Sequence, residues 1–407
     1  MTNSSAQIKT ILIDSIFILL IANMFLVIAG YGVISILGSG FFAAVKGLRI
    51  VTLIAGFFWV LHKNGLKFNR LRRSGKFTFF MIVLVVSSAF YFGTDGVLYN
   101  LLNLLLGFLY ILLSVNYLLR YGLEDLLSSF SIGVFFCFSF VVLAYFAFGG
   151  SLTNTNIYGE TEDGAFVSNH YGWSASLVAL AAVDIIKNFK LNLFTKFLLS
   201  SYLIILFFLL IISASRSGLL AVGMTTIFLL FKSNQVKPIV KFLIVGIPLV
   251  IFFNLKDVED SAINFVIEKS QSQLGGKDDG RLESGEIMFE VFNNNPGYYL
   301  TGIGMFNTEY LERGNSILGK YHNSYLEILF GAGIIVFGVF LSFMVLRPFR
   351  VFWKVAHSSS LLFFPLLIIP FFESDLTPGQ FLFFPWFGYM LILNAKDVKL
   401  KNRKQLT

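Results

Sequence analysis

The sequence predicts an all-α, polytopic membrane protein with about twelve transmembrane helices and one large segment outside the membrane. Composition, the spacing of apolar runs and the alternation of basic loops carry that prediction. Of 407 residues, 56% are hydrophobic, 49 are Phe and only 13% are charged. Soluble domains carry about 25% charged residues, and a soluble fold of this size has nowhere to bury so much apolar surface. In a bilayer the lipid is itself the apolar solvent, and backbone polar groups must then be satisfied within helices or closed barrels.

A spanning helix needs about 20 mostly apolar residues. Such runs lie near 11–29, 44–61, 77–93, 97–119, 127–149, 170–187, 197–213, 215–231, 238–254, 323–346, 359–373 and 380–395. The first reaches Gly30 without an Ala-x-Ala cleavage pattern, so it reads as a retained helix rather than a signal peptide. The 359–373 run is short and holds Pro365 and Pro370, which predicts a kinked or tilted helix.

The net charge of +8 is explained by position. With the amino terminus inside, one cytoplasmic loop holds Lys63, Lys67, Arg70, Arg72, Arg73 and Lys76, and the next holds Arg120. Lys187, Lys190 and Lys196 follow, then Lys232, Lys237 and Lys241, then Arg347, Arg350 and Lys354. The tail carries Lys396, Lys399, Lys401, Arg403 and Lys404. Every second connection is basic, and those between are short or acidic, as at Glu160, Glu162 and Asp163. This is the positive-inside pattern, with both termini cytoplasmic. It accounts for the basic balance without a nucleic-acid partner.

Two outside segments stand out by length, 150–169 and 255–321, the latter between the ninth and tenth spans. In the longer one Asp278-Asp279-Gly280 signals a turn, an apolar-periodic stretch runs from Leu282 to Phe292, and Asn295-Pro296-Gly297 ends it. One or two short amphipathic helices on the membrane surface are expected. No internal repeat supports an inverted-repeat transporter. The single cysteine, Cys137, lies in an apolar run and excludes an internal disulfide.

With so few charges, those outside the cytoplasmic loops are informative. Arg216 stands in Ser213-Ala214-Ser215-Arg216-Ser217-Gly218, between two apolar runs at the outer boundary. An Arg at mid-membrane costs about 2.5–3.5 kcal/mol on insertion scales, so it is usually paired or functional. Snorkelling to the interface is the plainer reading. Ser215, Ser217 and Gly218 allow close approach to the backbone, and the helix that begins here presents free N–H groups that favour an anion. Arg281 opens the amphipathic stretch and reads equally well as a solvated surface residue; Arg313 and Lys320 are weaker candidates of the same kind.

Of four histidines, His62 and His357 fall on the cytoplasmic side, and His170 and His322 outside. His322 sits in Lys320-Tyr321-His322-Asn323-Ser324-Tyr325-Leu326-Glu327, where Tyr325 or Glu327 could orient an imidazole that accepts a proton near neutral pH. A lone interfacial His is more often structural. There is no P-loop, no His-Glu-x-x-His and no Gly-x-Ser-x-Gly, so neither a metal nor a cofactor is expected.

Three stretches together resemble the shared core of the O-antigen polymerase (Wzy-type) and O-antigen ligase superfamily. They are Ser215-Arg216-Ser217-Gly218-Leu219-Leu220-Ala221, Gly302-Ile303-Gly304, and His322-Asn323-Ser324-Tyr325-Leu326-Glu327 followed by Gly331-Ala332-Gly333. Ser168-Asn169-His170-Tyr171-Gly172 resembles an earlier Asn-containing motif more weakly. The resemblance covers about 168–340, within a chain read as one integral membrane domain over 1–407. It implies a membrane-embedded glycosyltransferase of the C type (GT-C-like) that inverts the anomeric centre without a metal. Arg216 and Arg281 would bind the diphosphate of an undecaprenyl-diphosphate-linked glycan. His322 would be the general base, with Asn169, His170, Ser215, Ser217, Arg313, Asn323, Tyr325 and Glu327 in supporting places. The implied setting is the periplasmic face of a bacterial inner membrane, and the resemblance leaves room for a chain-length regulator and a flippase as partners.

Polymerase and ligase share the donor chemistry. The wording after Ser-Arg, the Phe-rich chain and Tyr321, where ligases more often show a second His, resemble a polymerase. A transporter for the same lipid-linked sugar should carry ionisable residues in mid-membrane on several helices, and here Asp14 and Asp184 are the clearest.

Overall fold

The structure is a computed structural model, and it describes residues 123–147, 168–212, 216–232, 288–303, 323–355 and 361–371, with residues 47, 50, 51, 54, 55 and 58. Among the described residues the chain is helical and contains no strand. The elements are α1 (Leu123–Ala147), α2 (Ser168–Asn188), α3 (Leu193–Ile212), α4 (Arg216–Lys232), the single turn α5 (Tyr298–Thr301), α6 (Ser324–Leu341), α7 (Arg347–Val355) and α8 (Phe363–Ile368). A π-helical turn, Ser342–Leu346, joins α6 to α7, and a 3-10 turn, Ile369–Phe371, extends α8. Described helical residues fall within the predicted runs at 44–61, 127–149, 170–187, 197–213, 215–231, 323–346 and 359–373. The runs at 11–29, 77–93, 97–119, 238–254 and 380–395 lie outside the described residues. Leu193–Leu210 and Ser324–Arg350 are each long and apolar enough to cross a bilayer.

Helix α2 is the hub: it packs against α1, α3 and α4. On α1 the buried residues Leu127, Phe130, Ser131, Val134, Cys137, Phe138 and Val142 recur at three- and four-residue spacing. That spacing is one face of a helix, and on it Phe138 meets Trp173 of α2 edge-on at 5.7 Å. The opposite face of α1 exposes Phe136 and Leu143. Residues 50, 51, 54 and 58 likewise present an exposed apolar stripe of Ile, Val, Ile and Phe, suited to lipid.

Asn192 ends the α2–α3 connection by accepting the Thr195 backbone N–H at 2.7 Å, a side-chain cap on one of the orphan donors at a helix start. Lys187, Lys190 and Lys196 are all exposed around it. Further along, α8 and its 3-10 turn both pack on α4. Phe228 of α4 lies 4.8 Å from Phe352 of α7 and 5.2 Å from Phe364 of α8. The π turn falls just before Pro348, which has no N–H to donate to the α-helical ladder.

Candidate functional site

The site begins where helices begin. Asn169 and His170 stand in the first turn of α2, and Arg216 is the first residue of α4. Two residues beyond Arg216, Gly218 is pressed so closely on α2 that a Cβ there would lie 2.8 Å from the Gly172 carbonyl oxygen and 2.7 Å from Leu210 Cδ1. Real Cβ atoms do not approach backbone that closely, so only glycine fits. The first turns of α2 and α4 therefore lie side by side, and Ser217 is buried there. Further along α4, Ala221 and Thr225 continue the buried stripe, and the Thr225 hydroxyl donates to the Ala221 carbonyl at 2.7 Å. That bond satisfies a buried hydroxyl within its own helix.

The second assembly forms at α6. Asn323 caps it: its Oδ1 accepts the backbone N–H groups of Tyr325 and Leu326, each at 3.1 Å. The Asn of the His-Asn pair is thus occupied in starting the helix that follows His322. Tyr325 is buried, and its hydroxyl donates to the Leu367 carbonyl at 2.9 Å. Three residues later in sequence Pro370 has no N–H to return to that carbonyl, so the Tyr325 hydroxyl fills a place the 3-10 turn leaves open. The ring also lies 4.3 Å from that of Phe371. Of the two residues expected to orient His322, Tyr325 is engaged elsewhere. Glu327 stands in the first turn of α6, half-buried, where a carboxylate is favoured by the helix dipole.

The segment 288–303 docks on α6 as well. Its helical residues 288–294 turn at Asn295-Pro296-Gly297 into α5. Tyr299 staples the two by donating its hydroxyl to Asn293 Oδ1 at 2.8 Å. Met288, Phe292 and Ile303 form one buried cluster with Phe330 of α6. The Phe330 ring stands 5.2 Å from Phe289 and 5.1 Å from Phe292, both edge-on, the arrangement ring quadrupoles prefer.

Backbone meets backbone at the glycines. α6 is broken at Gly333 (φ 78°, ψ 168°), and the carbonyl of Phe330 accepts the N–H of Ile303 at 2.9 Å. Gly302 (φ 68°, ψ −179°) sits against the Gly331 carbonyl, and Gly333 against the Leu300 carbonyl, each with no room for a Cβ. Both backbones lie in a region essentially restricted to glycine. In the sequence these two glycine motifs are only marks of resemblance. Their contact was beyond it, since it pairs residues thirty positions apart.

The remaining expected residues divide simply. Ser215, Arg281, Arg313 and His322 lie outside the described residues. The helices bearing the Arg216 and His-Asn motifs are linked through 361–371, because α4 and α6 both pack on the 3-10 turn Ile369–Phe371.

Helices with exposed apolar faces, two of them long enough to span a bilayer, define a helical membrane protein. Residues 201–341, from within α3 to the last residue of α6, match the family model described as O-antigen ligase. Over that segment the chain is similar to O-antigen ligases, and its two long apolar helices accord with a membrane protein. No curated protein shows a significant match to the chain.

Proposed function

We propose that the chain is an O-antigen polymerase that joins undecaprenyl-diphosphate-linked repeat units by inverting, metal-independent glycosyl transfer. The observation that carries this reading is the pairing of the motif segments. Gly172 meets Gly218 near the starts of α2 and α4, and Gly302 meets Gly331 and Gly333 within α6. The first contact seats the helix that begins at Arg216, the second seats the helix that follows His322, and the two helices share the 3-10 turn Ile369–Phe371.

In this reading the chain spans a bacterial inner membrane about twelve times with both termini cytoplasmic, has a GT-C-like architecture and works on the periplasmic face. A lipid diphosphate lies at headgroup depth, within reach of an Arg at the outer boundary. Arg216 and Arg281 hold its oxygens through charge-assisted hydrogen bonds. His322 takes the proton of the acceptor sugar hydroxyl while that oxygen attacks the anomeric carbon from the face opposite the leaving group. The new C–O bond forms as the bond to phosphate breaks, and undecaprenyl diphosphate departs with the electron pair. Diphosphate is already a good leaving group, so positioning, charge stabilisation and one proton transfer suffice. A chain-length regulator and a flippase are fitting partners in lipopolysaccharide biosynthesis.

Purified protein supplied with a defined lipid-linked repeat unit should form longer glycans. Failure under conditions where the lipid-linked donor is competent sinks the polymerase and favours a transporter. The ligase reading is separated in cells. Loss of a polymerase leaves single repeat units on lipid A core, whereas loss of a ligase leaves bare core and lipid-linked polymer. Arg216→Lys keeps the charge but loses the guanidinium fork, and should lower activity by at least about a hundredfold. Normal polymer from that variant removes Arg216 from the site. His322→Ala should abolish transfer at unchanged protein level; continued polymer formation makes His322 structural.

A further inference from the structure

The outside segment carries a feature that the chemistry above does not use. Its carboxyl end is not merely packed on α6 but threaded into a break in it. Three backbone relations are made at one place: the Ile303 N–H to the Phe330 carbonyl at 2.9 Å, Gly302 on the Gly331 carbonyl, and Gly333 on the Leu300 carbonyl. Conformation and space each demand glycine at 302 and 333, so the contact is doubly specified. Elsewhere on α6 glycine is not demanded: a Cβ at Gly338 would meet nothing within 4 Å. The aromatic cluster of Phe289, Phe292 and Phe330 holds the same joint from its other side.

We propose that Gly302 and Gly333 are positioning residues: they form a backbone clamp that fixes the outside segment against the break in α6, the helix that follows His322. The proposal rests on the glycosyl-transfer reading, in which Arg281 on that segment and His322 at that helix end must address one substrate. A fixed joint between residues 300–303 and α6 holds the segment that follows Arg281 against the helix that follows His322 before substrate arrives. Misplacing a reacting group by about 1 Å costs about a hundredfold in rate.

The test compares Gly302→Ala and Gly333→Ala with Gly338→Ala in the polymerisation assay, with protein amount and melting temperature measured alongside. A second readout does not depend on activity. Spin labels go on Leu300→Cys and Ile334→Cys, both exposed positions, in a Cys137→Ala background. The clamp predicts that Gly302→Ala and Gly333→Ala each lower kcat by at least about a hundredfold per folded molecule. The KM for the lipid-linked donor should stay within a few-fold, and Gly338→Ala should behave as the unaltered chain. It also predicts strong dipolar broadening between the labels in the parent, lost in Gly333→Ala. Folded glycine variants with unchanged kcat overturn it, as does broadening that survives Gly333→Ala.

Where the glycine variants do not accumulate, the two cysteines are bridged by a short reducible linker in the otherwise unaltered chain. Retained kcat supports a fixed clamp. Loss on bridging with recovery on reduction overturns it. If the parent protein makes no glycan at all, the functional reading fails, and the spin-label comparison still decides whether the clamp exists.

Discussion

Helices α2 and α3 are consecutive, both apolar, and joined through residues 189–192, yet their surroundings are opposite. From Gly172 to Ile185 the side chains of α2 are buried all round except at Val183, which is half-buried. On α3, Phe194, Phe197, Ile204, Ile205, Phe207 and Phe208 are exposed, Ile204 to 62%. The difference lies in side-chain size. α2 carries Gly172, Ser174, Ala175, Ser176, Ala179, Ala181 and Ala182, which let neighbouring backbones approach; α3 is built of Leu, Ile and Phe. In water the larger residues would seek the interior. In lipid there is no hydrophobic force between helices, so close-fitting small residues make the contacts and bulky ones face the acyl chains. The pair is therefore evidence about the solvent as much as about the fold.

The sharpest way to break the comparison is Ile204→Arg, at the middle of the exposed face of α3. Against water this change would cost little. Against lipid it should cost about 2.5–3.5 kcal/mol, the insertion penalty for a central Arg. We expect a large fall in the amount of protein in the membrane fraction and a lower melting temperature in detergent. Unchanged accumulation would mean that this face does not meet lipid. Lys196, near the start of the same helix, is exposed already. Lys196→Ala should leave accumulation alone and serves as the paired control.

A second, smaller effect tests the buried partner. Ala182 is fully buried on α2, and Ala182→Leu should destabilise by about 1–3 kcal/mol through overpacking. The comparable enlargement on α3, Ser200→Leu, falls at an exposed position and should be neutral or slightly stabilising. Detergent melting curves of the two variants side by side should diverge. Equal melting temperatures would remove the claim that α2 is the tightly fitted helix.

The same contrast explains what could be read from residues alone. That helices lie within 127–149, 170–187, 197–213 and 215–231 was legible, because a long apolar run in lipid must satisfy its own backbone. Which helix is central was not read, although the alternation of Gly, Ala and Ser in α2 held the signal. The turn at Asn295-Pro296-Gly297 was legible from its residues, and the structure has it between residues 288–294 and α5. The break at Gly333 was not, because the run 328–341 around it is apolar and the cause lies at Leu300 to Ile303. Asn323 shows the limit within the site itself. Its place beside His322 suggested chemistry, while its hydrogen bonds make it a helix cap. An Asn just before an apolar run is a recognised start signal, so that role was open to view. Tyr325 was beyond reach, since its partner Leu367 is remote in sequence.

The finest test concerns the polar bond that α2 makes inside its apolar sheath. Asp184 is buried, and its Oδ2 accepts the Ser131 hydroxyl of α1 at 2.8 Å. Oδ1 has no hydrogen-bond partner among the described residues. A buried hydrogen bond between helices in lipid is worth less than intuition suggests, about 0.6 kcal/mol on average and about 1.7 at most, because the separated helices find other partners. Deleting Asp184 alone would also open a cavity, so a single variant would overstate the bond. A cycle of Ser131→Ala, Asp184→Ala and the double variant cancels that cavity term. We expect the cycle, read from unfolding midpoints in denaturing detergent, to return a coupling of about 0.6 kcal/mol. A coupling indistinguishable from zero would mean that α1 and α2 are held by the fit of Phe130, Phe138 and Trp173 alone. Apolar packing would then account for the whole of the joint, and the contrast between α2 and α3 would reduce to shape.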